Sequence, residues 1–519
     1  MIPYILTCLT SQATLFGGTG TSTPAVIEVR AMARRQGDLP ELPPVDELGD
    51  PLKLQDVLRS VRDAHPALIE SMFVARAAAG KALSARGHFD PRLKLDANST
   101  AIGYYDLTTY NLEVRQNTPL WGAEFYAGYR LGREGDEDIS PYDEEIETLD
   151  DGEFRVGLVL PIYRNGPIDA GRAEIRQTRA AQREAEAGVR VQRLTLALQA
   201  VAAYWTWVSS EQKYRVLYEL AQIARLRDQA VKRRIDEGTF AELERAESMR
   251  AILDRENEAW KMWQKTREAA LKLSLFLRDE EGRPVVIGPD RSFGRLSPIS
   301  YSIPETDIDV ALEKRPEMEV LNQKLVKAEV EVTFLRNQWA PELDVKMEYS
   351  KDIGSLPLDE PGEQGPDAPP GFPTTDRFQI LNETVFKVGL ALKAPLLLRK
   401  DGGKFREAQG KLSALQREVQ FKREKLRNQL ARLRFSILAL QGRAVVAAEN
   451  QRAAELAAQA ERRRFEIGTT DLFQVFLRES VAGEAALKAI DAIAAQRAAT
   501  TAWQFATCQA SIVAGLPSC

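Results

Sequence analysis

The chain has 519 residues, 44% apolar and 28% charged, with 70 Lys and Arg against 75 Asp and Glu, a net charge of -5. That balance excludes the basic footprint expected of a nucleic-acid binder. Three scattered cysteines (Cys8, Cys508, Cys519) exclude a disulfide framework or a cysteine-based metal cage.

Residues 1–50 read as a leader and a flexible lead-in. Residues 2–9 are apolar and Ser11-Gln12-Ala13 could be a cleavage site, but no basic region precedes them. Cys8 follows Leu6-Thr7, a poor lipidation signal. Gly17 to Gly20 lacks the Lys-Ser/Thr of a phosphate loop. His65, before a proline, and His88, near a helix end, read as structural. No nucleophile and base can be assembled, so no enzyme chemistry, cofactor or metal is expected. No run of about 20 apolar residues offers a transmembrane helix.

A helix is expected over 53–88, interrupted by Pro66 and stopped by Pro91. Leu93-Lys94-Leu95-Asp96-Ala97 then alternates apolar and polar residues, the pattern of a strand with one wet face, here set at about 92–105. Alternation at 109–116 and 123–131 predicts an additional hairpin, about 109–131, and 153–161 a further strand. Residues 168–236 contain no proline and few glycines. Val191, Leu194, Leu198, Val201, Trp205 and Val208 step by three and four along them, the seam of a coiled coil. A Gly-Thr turn and a returning helix, 241–278, follow. Lys232, Arg233 and Arg234 are offset by Asp236 and Glu237, as on a solvated helix face.

The same grammar is then written again. A helix at 307–338 carries Pro316, and an offset of 250 pairs Pro66 with Pro316, Phe89 with Trp339, Pro91 with Pro341 and Leu93 with Leu343. Strands are expected at about 342–350 and 385–395 around a polar connection at 351–375. A second long helix, 404–466, carries the seam Leu426, Leu430, Leu433, Ile437 and Leu440, and a return helix spans 470–514. Phe154-Arg155-Val156-Gly157-Leu158 matches Phe386-Lys387-Val388-Gly389-Leu390. Arg233-Arg234-Ile235-Asp236-Glu237-Gly238-Thr239 matches Arg463-Arg464-Phe465-Glu466-Ile467-Gly468-Thr469. Three landmarks in the same order make the chain a tandem duplication of 51–300 and 301–516.

Four principal strands are too few to enclose a lumen, and sheet in a bilayer must close. Three chains would supply about twelve, with polar positions facing water inside and apolar ones lipid. Tyr104, Tyr105, Tyr110, Phe154 and Tyr349 would suit the membrane interfaces. The expected fold is mainly α with a transmembrane β-barrel portion: a trimer whose 12-stranded barrel continues into an α-helical barrel, which a family resemblance places in the periplasm. A soluble coiled-coil scaffold is the alternative. It accounts for the helices and leaves the strands without a role.

The duplicated order of helix, strand, loop, strand, long helix, Gly-Thr turn and returning helix resembles the TolC-like outer-membrane efflux protein family over about residues 51–516. Its most specific pieces are Leu158-Val159-Leu160-Pro161, Leu392-Lys393-Ala394-Pro395-Leu396 and the two Arg-Arg-x-x-x-Gly-Thr turns. The resemblance implies a homotrimeric exit duct in outer-membrane lipid, crossing the periplasm to meet an adaptor (membrane fusion) protein and an inner-membrane pump, in tripartite efflux or type I secretion.

By position it also assigns adaptor docking to Gly238, Thr239, Gly468 and Thr469. Glycine suits the positive φ at a helix C-terminus, and threonine could cap the next helix. A plain tight turn is the alternative. Family members often close the tip with aspartates and a Tyr/Arg pair. The matching stretch here reads Phe465, Thr470, Gln474 and Leu477, so that lock is not carried over. Glu244 and Glu247, with Gln474, are instead the candidates for a constriction. Glu244 and Glu247 could equally be solvated residues paired with Arg245 or Arg250.

Overall fold

The computed structural model describes residues 41–45, 49–99, 107–134, 148, 151–238, 241–291, 294–304, 308–354 and 384–507. Residues 1–44 form one compact unit, of which only 41–44 are described. Residues 45–519 form the other and carry every element below. Expectations for Cys8, Tyr104, Tyr105, Thr239, Cys508 and Cys519 fall outside the described residues.

Pro66 ends α1 (Leu54–Ala64) and begins α2 (Pro66–Arg86). Proline is tolerated at a first helical position because that N–H has no helical acceptor. His65 takes up the junction: its Nδ1 accepts the Ala67 N–H at 3.2 Å while its ring stacks on Phe276. Pro316 repeats the arrangement between α5 (Ile308–Glu313) and α6 (Pro316–Asn337).

The two long helices are α3 (Ala170–Asp236), of 67 residues, and α7 (Arg399–Glu466), of 68. At 1.5 Å per residue each is roughly 100 Å long. Asp169 caps α3 by accepting the Arg172 N–H at 2.7 Å. Their returning partners are α4 (Glu242–Ser274) and α8 (Leu472–Ala506). In α3 the seam residues Leu194, Val201, Trp205 and Val208 are buried. So are Leu196, Ala200, Tyr204 and Trp207, because α1, α2, α4, α6 and α8 surround this helix. In α7 fewer side chains are covered: Leu430 and Ile437 of the seam are buried, with Ala408, Ala444, Ala458 and Glu461, while Phe421, Phe435, Leu438, Val446 and Leu456 lie bare.

Six strands make one antiparallel meander in chain order: β1 (Arg92–Ser99), β2 (Leu107–Asn117), β3 (Glu124–Glu134), β4 (Glu153–Pro161), β5 (Glu342–Asp352) and β6 (Val385–Lys393). The β4–β5 ladder, from Glu153↔Asp352 to Pro161↔Asp344, joins the two halves of the duplication. Strand pairing extends the sequence reading. The hairpin at 109–131 is no appendage but two strands of 11 residues paired on both flanks, β1 with β2 and β3 with β4. Among its described residues one chain therefore brings six strands to the sheet, the four principal ones and the two of the hairpin.

A strap of residues 275–304 crosses the helices. The buried Gln496 side chain holds it at both backbone groups of Ile299, at 3.2 and 2.5 Å, and Arg497 holds the Ser297 carbonyl at 3.0 Å. No described helix is long and apolar enough to cross a membrane.

Candidate functional site: the helical tip and the sheet wall

At the far end of the helices each turn places its glycine at positive φ. Gly238 has φ +73° and Gly468 +76°, a backbone region that residues with a Cβ enter at a cost. The Gly468 N–H reaches the Phe465 carbonyl at 3.1 Å and the Thr469 N–H reaches Arg464 at 2.9 Å, the paired bonds of a Schellman motif. Gly238 repeats the first of these to Ile235 at 2.8 Å. Thr469 does not cap the next helix, as the spacing suggested. Its hydroxyl donates back to the Arg464 carbonyl at 3.0 Å, and Asp471 caps α8 by accepting the Gln474 N–H at 2.7 Å. Aspartate two residues on is a better acceptor, and the threonine is already held by the motif it closes.

Of the proposed constriction, Glu247 is exposed, while Glu244 and Gln474 are half-buried. Among the described residues no hydrogen bond or ion pair joins the three side chains. Arg245 pairs with Glu242 at 3.9 Å and Arg250 with Asp254 at 3.7 Å, not with Glu244 or Glu247.

Two turns inside the tip lies a group that the sequence reading missed. Glu479 of α8 is fully buried, at 0% exposure. Arg227 of α3 donates to both its oxygens, at 2.8 Å in one bond and shorter in the other. Arg255 of α4 reaches it at 3.0 Å and Arg462 of α7 at 2.7 Å. Arg227 and Arg255 also lie over the Phe476 ring, one helical turn before, at 5.4 and 5.5 Å. Burial alone would raise the Glu479 carboxyl, but the bonds and charges of Arg227, Arg255 and Arg462 overcome it and hold the group at about 2. All four helices meet at this one carboxylate. The duplication does not repeat it, since the matching position in α4 is Met249, which is exposed.

At the opposite end the sheet has two chemically distinct faces. On one, Leu93 and Leu95, Tyr110, Leu112 and Val114, Phe125 and Tyr129, Phe154 and Val156, Met347 and Tyr349, and Phe386, Val388, Leu390 and Leu392 are exposed. Every strand contributes. The other face is charged. Arg115 meets Glu113 and Glu124, Arg130 meets Glu153 at 2.7 Å, and Lys393 meets Glu342 at 3.1 Å.

Two bonds on that charged face reach past a whole strand. The Tyr126 hydroxyl of β3 donates to Glu348 of β5 at 2.5 Å, and Arg155 of β4 donates to Asn111 of β2 at 2.8 Å. Each passes over a glycine in the strand between. Gly157 lies under Tyr126, and Gly128, the ladder partner of Arg155, lies on the route to Asn111. A face apolar enough for hydrocarbon, backed by a face wet enough for a lumen, is what a membrane-spanning barrel wall requires.

Residues 308–507 match the family model described as "Outer membrane efflux protein". No curated protein matches the chain in sequence. Among solved structures the fold is similar to that of a membrane protein from Pseudomonas aeruginosa, at 13% identity and TM-score 0.62, covering 91% of this chain and 98% of that one. It is also similar to the Campylobacter jejuni CmeC outer membrane channel, at 12% identity and TM-score 0.63, covering 88% and 85%. The outer membrane protein VceC from Vibrio cholerae aligns at 14% identity and TM-score 0.60, covering 88% and 95%.

Proposed function

We propose that the chain, whose residues 308–507 match the outer membrane efflux protein model, is a member of that family and a passive exit duct whose wall is completed by two further copies of itself. In this reading it is an outer-membrane efflux channel with a large periplasmic helical part, and channels of this family work with adaptors and inner-membrane pumps in tripartite systems. The observation that carries the reading is the continuity of two surfaces. A sheet with an apolar outside and a charged inside passes, through β4 into α3 and through β6 into α7, into helices roughly 100 Å long. The soluble scaffold has no use for that apolar belt.

The need for neighbours is written at both margins of the chain. β1 and β6 are sheet edges whose outer ladder groups would be unpaired in hydrocarbon. Beside them, α2 leaves Met72, Phe73, Val74 and Leu83 bare, and α7 leaves Phe421, Phe435 and Val446 bare. Packing the α7 side of one copy on the α2 side of the next covers both, and three copies give twelve long and returning helices around one axis.

In this reading substrates move without bond chemistry. The tip opens when the α7–α8 pair shifts against the α3–α4 pair, and an adaptor docks on the two turns. Replacing both Gly238 and Gly468 by valine tests the docking. At φ near +75° a β-branched residue costs on the order of 1–3 kcal/mol per turn. Both turns are surrounded by open space, so the damage stays local. Export is expected to fall at least tenfold, with assembled protein still in the outer membrane at its normal amount. Normal export by the double variant would remove the turns from the docking surface.

A further inference from the structure

The extra hairpin changes what three copies build. We infer that β2 and β3 are part of the membrane wall itself, so that the duct closes as an eighteen-stranded barrel around a pore about half as wide again as twelve strands would enclose. The inference rests on the three-copy reading above.

Three observations place the hairpin in the wall. First, it is laddered on both sides over its length, from Arg92↔Arg115 to Ser99↔Thr108 on one flank and from Glu124↔Val159 to Arg130↔Glu153 on the other. A plug folded into the lumen would leave β1 and β4 to pair with each other. Second, its faces agree with those of the other strands. Tyr110, Leu112, Val114, Phe125 and Tyr129 point the same way as Leu93, Phe154 and Tyr349 and are exposed, while Glu113, Arg115 and Arg130 join the charged face. At 11 residues each strand has the length of a tilted membrane crossing.

Third, the turn is built into the junction between sheet and helices. Trp121 and Gly122 both take positive φ, +54° and +71°, the tight hairpin turn that follows strand twist. Such a φ is costly for tryptophan and is sustained by its surroundings. The Trp121 ring covers Gly166 so closely that a Cβ there would lie 2.6 Å from its Nε1, and a Cβ on Gly122 would lie 2.6 Å from the Asn165 carbonyl oxygen. Arg172 donates to the Asn165 and Gly166 carbonyls, both at 2.7 Å, and fixes that seat. Asn117, at the base of β2, donates to the His88 carbonyl at 3.3 Å.

An even number of strands per chain also lets closure occur. β1 and β6 run in opposite directions, so β6 of one copy meets β1 of the next as an antiparallel pair, like every other pair in the sheet. Barrel diameter grows roughly linearly with strand number. The β end of the duct is then wider than a twelve-stranded one, and the helical tip, not the barrel, limits the size of what passes.

Spin labels test this on the full chain in lipid nanodiscs, with Cys8, Cys508 and Cys519 replaced by serine. Lys346→Cys on β5 puts one label per copy on the inner wall. With strands about 4.8 Å apart and tilted about 40°, eighteen strands place equivalent labels roughly 30 Å apart and twelve place them roughly 20 Å apart. Leu112→Cys labels should be relaxed by oxygen dissolved in lipid, and Thr109→Cys labels by a water-soluble nickel chelate. Three-copy particles with the shorter distance, or with the two accessibilities exchanged, overturn the eighteen-stranded wall. The particle mass is read on the same samples, and particles of other than three copies overturn the three-copy reading instead.

Discussion

Replacing Glu479 by glutamine is expected to destabilise the tip by about 3–5 kcal/mol, the range for removing one member of a buried ion pair. The magnitude comes from what remains. Arg227 and Arg255 are largely covered, with side chains 11% and 13% exposed, and would face each other without the carboxylate that now pairs them. Since the four bonds to Glu479 come from α3, α4 and α7, their loss frees the α7–α8 pair from the α3–α4 pair. Amide hydrogen exchange in the first turns of α4 and α8 should accelerate, and the β strands should keep their protection. Replacing Glu479 by leucine and both Arg227 and Arg255 by methionine should recover much of the loss, because well-packed apolar residues avoid the desolvation of the charged group. Unchanged exchange in the glutamine variant would show that the cluster holds nothing.

The same group sets a pH dependence. Its carboxyl is held at about 2 in the fold against 4.5 ordinarily. A depressed folded pKa gives stability that is fully present above about pH 4.5 and is lost as pH falls toward 2. The difference is on the order of 3 kcal/mol. Tip opening in the native chain should rise through that window, and the Glu479→Gln variant should lack this part of the profile.

Gly157→Val is expected to have the second large effect, at the other end. A Cβ at residue 157 would lie 2.1 Å from the Tyr126 ring, so the ring must leave. Its bond to Glu348 goes with it, and the β3–β5 link on the inner wall is lost. Overpacking costs about 1–3 kcal/mol and a hydrogen bond to a charged group about 1.5–3. The expected result is a sheet that loses its heat-resistant assembled form on gels tens of degrees lower. The double variant Gly157→Val with Tyr126→Ser removes the clash while the bond to Glu348 stays lost, so it should recover only the overpacking share. Equal behaviour of both variants would mean that Tyr126 carries no strain onto Gly157.

What could be read from residues alone was whatever has a short period. Heptads in 168–236 and 404–466, alternation in the strands and the two glycine turns are local signals, and the duplication doubles each. The turns had a further local cue, the glycine following a basic last turn of helix. Strand partnership is not local. Alternation at 109–131 shows two-faced strands but not that β2 pairs with β1 and β3 with β4. The hairpin was therefore read as additional to the four principal strands, not as paired into the same sheet. Glu479 was invisible for the same reason. It lies 252, 224 and 17 residues from Arg227, Arg255 and Arg462, and a single glutamate in a helix rich in polar residues looks solvated until three other helices are laid around it.

All of these expectations presuppose that the chain works as part of a closed cylinder seated in lipid. The most direct test is the mass of the full-length protein in membranes washed at alkaline pH and carried, without solubilised intermediates being selected, into nanodiscs. Particles holding three chains of 58.0 kDa each, retained through the wash, are the expected result. Release of single 58.0 kDa chains into the alkaline supernatant would contradict the account.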